Sequence, residues 1–270
     1  LIPIINRSLP LFVAFKEMAS SLFLGLDGEP ISDSEVLGYG RTGVVICRDN
    51  LAIKIPLRHP WSSDTDVQSN VEVIEREQDV YHRFNRFPRE QVDHIVPCLG
   101  LKKNATHLAC MGYGKLRDYL AKNQPSRAVQ ITWFRQMVQA LEQVHDKCVL
   151  VADIASCNFL LDSDLSIKIC DFSGSSLLPI GTVMEMADDD RYSIQTEIGQ
   201  LDFDLFWGGI PMDGRAIWPP QDSLPSTDGL WLGPIIARCW VEGGFQNAHA
   251  LSHALGSVDL MGITDEDTGL

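Results

Sequence analysis

Hydrophobic and polar positions along the chain change period twice. Residues 43–47 (GVVIC) and 51–55 (LAIKI) are β-branched runs on either side of Asp49-Asn50. Such runs around a two-residue Asp/Asn turn predict a hairpin across residues 36–56. The period then becomes helical over residues 70–84, where Val73, Glu77, Val80, Tyr81 and Phe84 recur at three- and four-residue steps. Pro88 ends that helix. DHIVPCLGL and THLACMGYG read as two further strands. From residue 115 the texture is helical: a short helix in KLRDYLAKN, then a long amphipathic one in ITWFRQMVQALEQVHDK. Trp133, Met137, Ala140, Leu141 and Val144 share one face of the long helix. Two short strands follow, FLL and SIKIC, joined by DSDL, and beyond residue 190 the pattern is helix and loop. The chain is β-rich first and α-rich second, with the seam at residues 111–115. That order predicts an α+β fold in two parts.

Composition narrows the function classes. The 270 residues, 45% apolar, are enough for one large domain or two small lobes around a core. No internal repeat or low-complexity segment interrupts them. A net charge of −14 argues against nucleic acid as a partner, because phosphate backbones need a positive surface. The seven cysteines form no CxxC pair and mostly sit in apolar strings, which fits reduced thiols in an intracellular, cytoplasmic protein. His249 and His253 have a His-x3-His spacing but no Cys or acidic partner nearby in sequence, so they read as helix-surface histidines. The opening LIPIINRSLPLFVAF is apolar but broken by Pro3, Arg7 and Pro10, too short to span a bilayer and without a clear cleavage site. A chain that begins at Leu1 suits a fragment or a shortened gene product, and its first residues read as a segment that packs on the domain or docks a partner.

Polar residues set into this apolar frame carry the candidate chemistry. Gly38, Gly40 and Gly43 form GxGxxG, with Val45 two further on. Alone the pattern is weak; lying in a hairpin, it suits a flap whose backbone N–H groups approach phosphates. Lys54 stands in an apolar strand, where an ammonium is costly unless it is paired or faces a cleft. Glu77 shares the apolar face of the predicted helix and can meet it, whereas Glu72 and Glu75 fall on outer faces. Asp153 and Asn158 stand five apart in VADIASCNFLL, and Asp171 follows in IKICDFSGSS. Each is an ordinary turn former. Taken together, three oxygen ligands at the ends of short apolar strands suit a hard cation and phosphates.

The ordered set of glycine loop, Lys54, Glu77, Asp153, Asn158 and Asp171 resembles a eukaryotic protein kinase domain, of the compact, divergent sort common in fungal genomes. The resemblance covers about residues 36–255, and GLWLGPIIARCWVEGGFQNAHALSHAL, with Cys239-Trp240, is similar to the family's closing helices. It implies a bilobal α+β fold: an extension over 1–30, an N-lobe of antiparallel sheet plus one helix over 31–111, a helical C-lobe over 112–256 and a tail over 257–270. It implies ATP and Mg2+ as cofactors and a protein as substrate. Gly38, Gly40, Gly43 and Val45 would cover the nucleotide, Lys54 would bind its phosphates and pair with Glu77, and the adenine would lie against backbone groups from Ala109 through Met111 to Gly112. Asp153 would orient and deprotonate the substrate hydroxyl, and Asn158 and Asp171 would hold the metal.

Several positions depart from the family pattern. His-Arg-Asp is Val151-Ala152-Asp153, and Asp-Phe-Gly is Asp171-Phe172-Ser173. No Ala-Pro-Glu follows, and the arginine that pairs with it is absent. Glu197 stands where the family keeps an Asp that anchors the catalytic loop. Without an arginine before Asp153, a phosphate on residues 174–200 loses its usual partner, and Asp188, Asp189 and Asp190 would repel one. Arg191 is the competing candidate for that role. The losses fall on the peptide side and the ATP side is complete. Three functions stay open: a protein kinase for Ser/Thr or Tyr, a nucleotide-binding pseudokinase acting as scaffold or allosteric partner, and a small-molecule phosphotransferase.

Overall fold

The computed structural model describes residues 21–187, 189, 192–207, 222 and 224–258. Most of the N-terminal extension and of the tail, together with Asp188, Asp190 and Arg191, lies outside the described residues.

The alternating runs form the first layer. β1 (Val36–Tyr39), β2 (Gly43–Arg48), β3 (Leu51–Pro56), β4 (Cys98–Lys102) and β5 (Ala105–Ala109) make an antiparallel sheet in the order β1-β2-β3-β5-β4. Asp49 and Asn50 turn β2 into β3 with φ of 50° and 64°. Both are left-handed, as a type I′ two-residue hairpin requires, and Asp and Asn tolerate that conformation best among residues with a side chain. Along β3, Ala52, Lys54 and Pro56 point to the buried face.

Across that face lies α1 (Asp64–Phe84), which starts six residues before its apolar spacing does. The early start comes from capping. Ser63 Oγ accepts from the N–H of Asp66 at 3.1 Å, and Asp64 and Asp66 meet the positive end of the helix dipole. The buried side of α1 is Val71, Ile74, Glu77, Val80, Tyr81 and Phe84.

The second part is built on α3 (Arg127–His145), preceded by β6 (Gly114–Lys115) and α2 (Leu116–Leu120). β7 (Val149–Leu150), β8 (Phe159–Leu161), β9 (Ile167–Ile169) and β10 (Ser176–Leu177) form two small ladders, β6-β8-β9 and β10-β7. Trp133 of α3 donates from Nε1 to the Leu165 carbonyl at 2.8 Å and so fixes the turn between β8 and β9. Further on come α4 (Ile194–Trp207), α5 (Gly233–Cys239) and α6 (Ala248–Gly256). Arg135 ties α3 to α6 by donating to the Leu255 carbonyl at 2.8 Å.

The two parts share one core. A single buried cluster runs from Ala52, Val80 and Leu108 through Phe134, Val151 and Phe172 to Leu251 and Leu255. Ile169 is its hinge point: its N–H donates to His94 O at 2.8 Å and its carbonyl accepts from Val96 N at 2.9 Å. All seven cysteines are free thiols. Among the described residues no helix is long and apolar enough to cross a membrane.

Candidate active site

Lys54 enters the site from β3 and Glu77 from α1. Nζ lies 2.8 Å from Glu77 Oε2 and 2.9 Å from Oε1. The same Nζ donates to Asp171 Oδ1 at 2.7 Å. Glu77 Oε1 also accepts from the N–H of Phe172 at 2.9 Å, so one carboxylate ties α1 to β3 and to the turn after β9. Burial alone would lower the Lys54 pKa, but the carboxylates of Glu77 and Asp171 outweigh it and raise it. For Glu77 burial wins over Lys54 and the carboxyl is raised. For Asp171 burial is outweighed by Lys54 and by the Ser173 hydrogen bonds, and the carboxyl is lowered.

The turn after β9 holds its shape through Phe172. Its ring packs edge-on against Tyr81 at 5.4 Å and Phe84 at 5.1 Å. Val151, where the family has a histidine, is buried in the same cluster. Asp171 itself has φ 63°, and Ala152, just before Asp153, has φ 64°. Left-handed backbone at residues other than glycine costs about 1–3 kcal/mol each and persists where the surroundings hold it. Here the holding group at 152 is Glu197: its Oε1 accepts from Ala152 N at 2.7 Å, while Oε2 lies 2.7 Å from His145 Nε2. Asn158 Nδ2 then donates to Asp153 Oδ2 at 3.0 Å and to the Asp153 carbonyl at 3.1 Å.

The glycines differ in what they make room for. A Cβ at Gly43 would stand 3.1 Å from Lys54 Cε, so Gly43 clears the path of that side chain. A Cβ at Gly40 would meet nothing within 4 Å, so no neighbour in the fold requires glycine there. Gly38, Val45 and Lys54 are register neighbours across β1, β2 and β3. At the end of β5, Ala109 pairs with Leu51, and Met111 accepts from Gly114 N at 3.2 Å.

The donor set fits a magnesium nucleotide. Asp171 and Asn158 offer hard oxygens from two neighbouring turns, and Mg2+ characteristically takes one or two such protein ligands plus phosphate oxygens. Among the described residues no group of three or more His, Cys, Asp or Glu could hold a metal unaided. His249 lies on the surface between Glu142 and Asp146, 3.3 Å from each.

Three residues were not singled out by sequence reasoning. Leu160 on β8 is half-buried and is the register partner of Lys115 of β6. Arg83, six residues after Glu77, donates to the carbonyls of Lys147 at 3.1 Å, Cys148 at 3.3 Å and Leu178. Helical spacing gave no sign of its reach. Lys115 opens KLRDYLAKN, where a short helix is expected, and instead ends β6.

A family model described as protein kinase domain matches residues 31–193. An Arabidopsis thaliana "Probable receptor-like protein kinase" is 32% identical over 104 residues, 33% of this chain and 29% of that protein. The match thus spans under a third of that relative's length.

Proposed function

The chain belongs to the protein kinase domain family, and from that premise we propose that it transfers the γ-phosphoryl group of ATP to a protein hydroxyl. One observation carries the reading: Lys54 bridges Glu77 and Asp171, 2.8 Å and 2.7 Å away, and so sets the roof of the cleft against its floor. Residues 31–111 form the roof and 112–256 the floor. Gly38, Gly40, Gly43 and Val45 cover the nucleotide, and Ala109 and Met111 meet its base through backbone groups. Lys54 would neutralise phosphate oxygens, and Asn158 and Asp171 would hold Mg2+. When bound, the magnesium nucleotide supplies the phosphoryl group and spreads its charge. Asp153, fixed at Oδ2 by Asn158, orients the acceptor hydroxyl and takes its proton at Oδ1. Most of the rate gain in such a site comes from positioning and charge neutralisation.

A second reading, a nucleotide-binding scaffold without turnover, is favoured by Ser173. Its Oγ donates to Asp171 Oδ1 at 2.6 Å, so that oxygen already serves Ser173 and Lys54. The experiment is a thermal-shift titration with ATP and magnesium beside a phosphotransfer assay on a generic protein acceptor. The kinase reading expects a raised unfolding midpoint and transfer that Asp153→Asn abolishes while the shift remains. A shift without transfer in the parent selects the scaffold. Neither shift nor transfer sinks both.

A further inference from the structure

Lys115 stands on the opposite side of the cleft from Lys54. It is the last residue of β6, four after Met111, and pairs in register with Leu160 of β8. Register partners on an antiparallel ladder project to the same face, so Lys115 rises beside Leu160. Its Nζ lies 3.2 Å, and its Cε 3.6 Å, from where a Cβ on Gly38 would stand. The ammonium therefore reaches across to β1, where a side chain at Gly38 would crowd it. Among the described residues the Lys115 ammonium has no hydrogen-bond or ion-pair partner. It is half-buried in a chain of net charge −14. A lysine that merely snorkels would turn its ammonium to water and leave Gly38 clear.

The row Gly38–Val45–Lys54 gives the scale. Two strand spacings separate Gly38 from Lys54, about 10 Å. An anionic group crossing beneath that row meets Lys115 at the rim and Lys54 inside.

We propose that Lys115 is a second nucleotide-binding cation, which contacts the phosphate nearest the sugar and so makes the cleft select phosphorylated nucleosides over bare ones. The proposal rests on the nucleotide reading of the cleft and deepens it. A charge-assisted hydrogen bond of this kind is worth about tenfold or more in affinity.

The test is calorimetric titration of adenosine, AMP, ADP and ATP into the parent chain, Lys115→Met and Lys115→Arg, with magnesium present. The ligand-free unfolding midpoint of each serves as a folding control. Lys115→Met weakens AMP, ADP and ATP by about tenfold, leaves adenosine unchanged, and Lys115→Arg restores most of the loss. Equal weakening of adenosine and AMP overturns the proposal, since Lys115 would then act through shape. Unchanged affinity for all four also overturns it, while the nucleotide reading stands. A parent that binds none of the four overturns both. A variant whose midpoint falls is replaced by Lys115→Gln, judged by the same ratio of AMP to adenosine.

Discussion

Lys54 is 6% exposed and Glu77 fully buried, so neither charge is tolerable alone. Removing one partner of such a pair typically costs about 3–5 kcal/mol, because the other charge is stranded. Lys54→Met should therefore lower the unfolding midpoint and abolish nucleotide-dependent phosphotransfer. Adding Glu77→Gln should recover most of the stability and none of the transfer. Restored transfer in the double variant would remove Lys54 from the site. The pH response separates the two carboxyls. Asp171 is lowered, so its contribution to stability is present above its unfolded value and is lost as pH falls through the lower folded one. Glu77 is raised, so it takes its proton first on acidification, above the ordinary 4.5, and releases Lys54. Nucleotide affinity should then fall along an acid limb centred above 4.5 that Glu77→Gln removes. An unmoved limb in that variant counts against the assignment.

At the scale of elements, Arg83 fastens the C-terminal end of α1 to the start of β7 and to the strand pair β7-β10. In the family an arginine before the catalytic Asp gathers this region around a phosphate, and here that position is Ala152. Arg83 does comparable gathering through neutral carbonyls. The hydroxyls nearby are occupied locally. Ser175 Oγ donates to Val151 O at 3.2 Å and Thr182 Oγ1 to Pro179 O at 2.7 Å. Ser193 and Thr196 bond reciprocally at the start of α4. Phosphatase treatment should leave the transfer rate unchanged, and a large loss would sink this view. Arg83→Met should lower transfer about tenfold and speed proteolysis within residues 174–187, with the ATP thermal shift retained. Unchanged proteolysis would show that the three carbonyl bonds hold nothing in place.

Over the whole molecule, the shared core sets cooperativity. The cluster from Ala52 to Leu255 crosses the seam, and Ile169 of β9 bonds back across it to His94 and Val96. Neither part can open without exposing apolar surface, at about 25 cal/mol per Å². Calorimetry should show one endotherm, moved as a whole by Ile169→Ala. Two separate endotherms would mean that the parts are independent.

Periodicity and turn chemistry in the sequence determined the order of strands and helices. They placed the Asp49-Asn50 turn, both short strands around DSDL, the inward-facing Glu77 and the buried face of α3. These signals are local: each needs only residues within one or two turns of chain. The start of α1 was misplaced by six residues because its first turn is polar and is held by a cap rather than by a buried face. The ordered motif pointed to Lys54, Asp153, Asn158 and Asp171 without any geometry. Tertiary structure alone decided that Lys54 serves Glu77 and Asp171 at once. It also decided that Arg83 reaches Leu178 and that Lys115 meets Gly38. Those partners are 95 and 77 residues apart in the chain. Long, flexible cations leave no period behind them, since their stems can extend in many directions. Only the fold, by bringing carbonyls or an empty glycine face within reach, selects which one each takes.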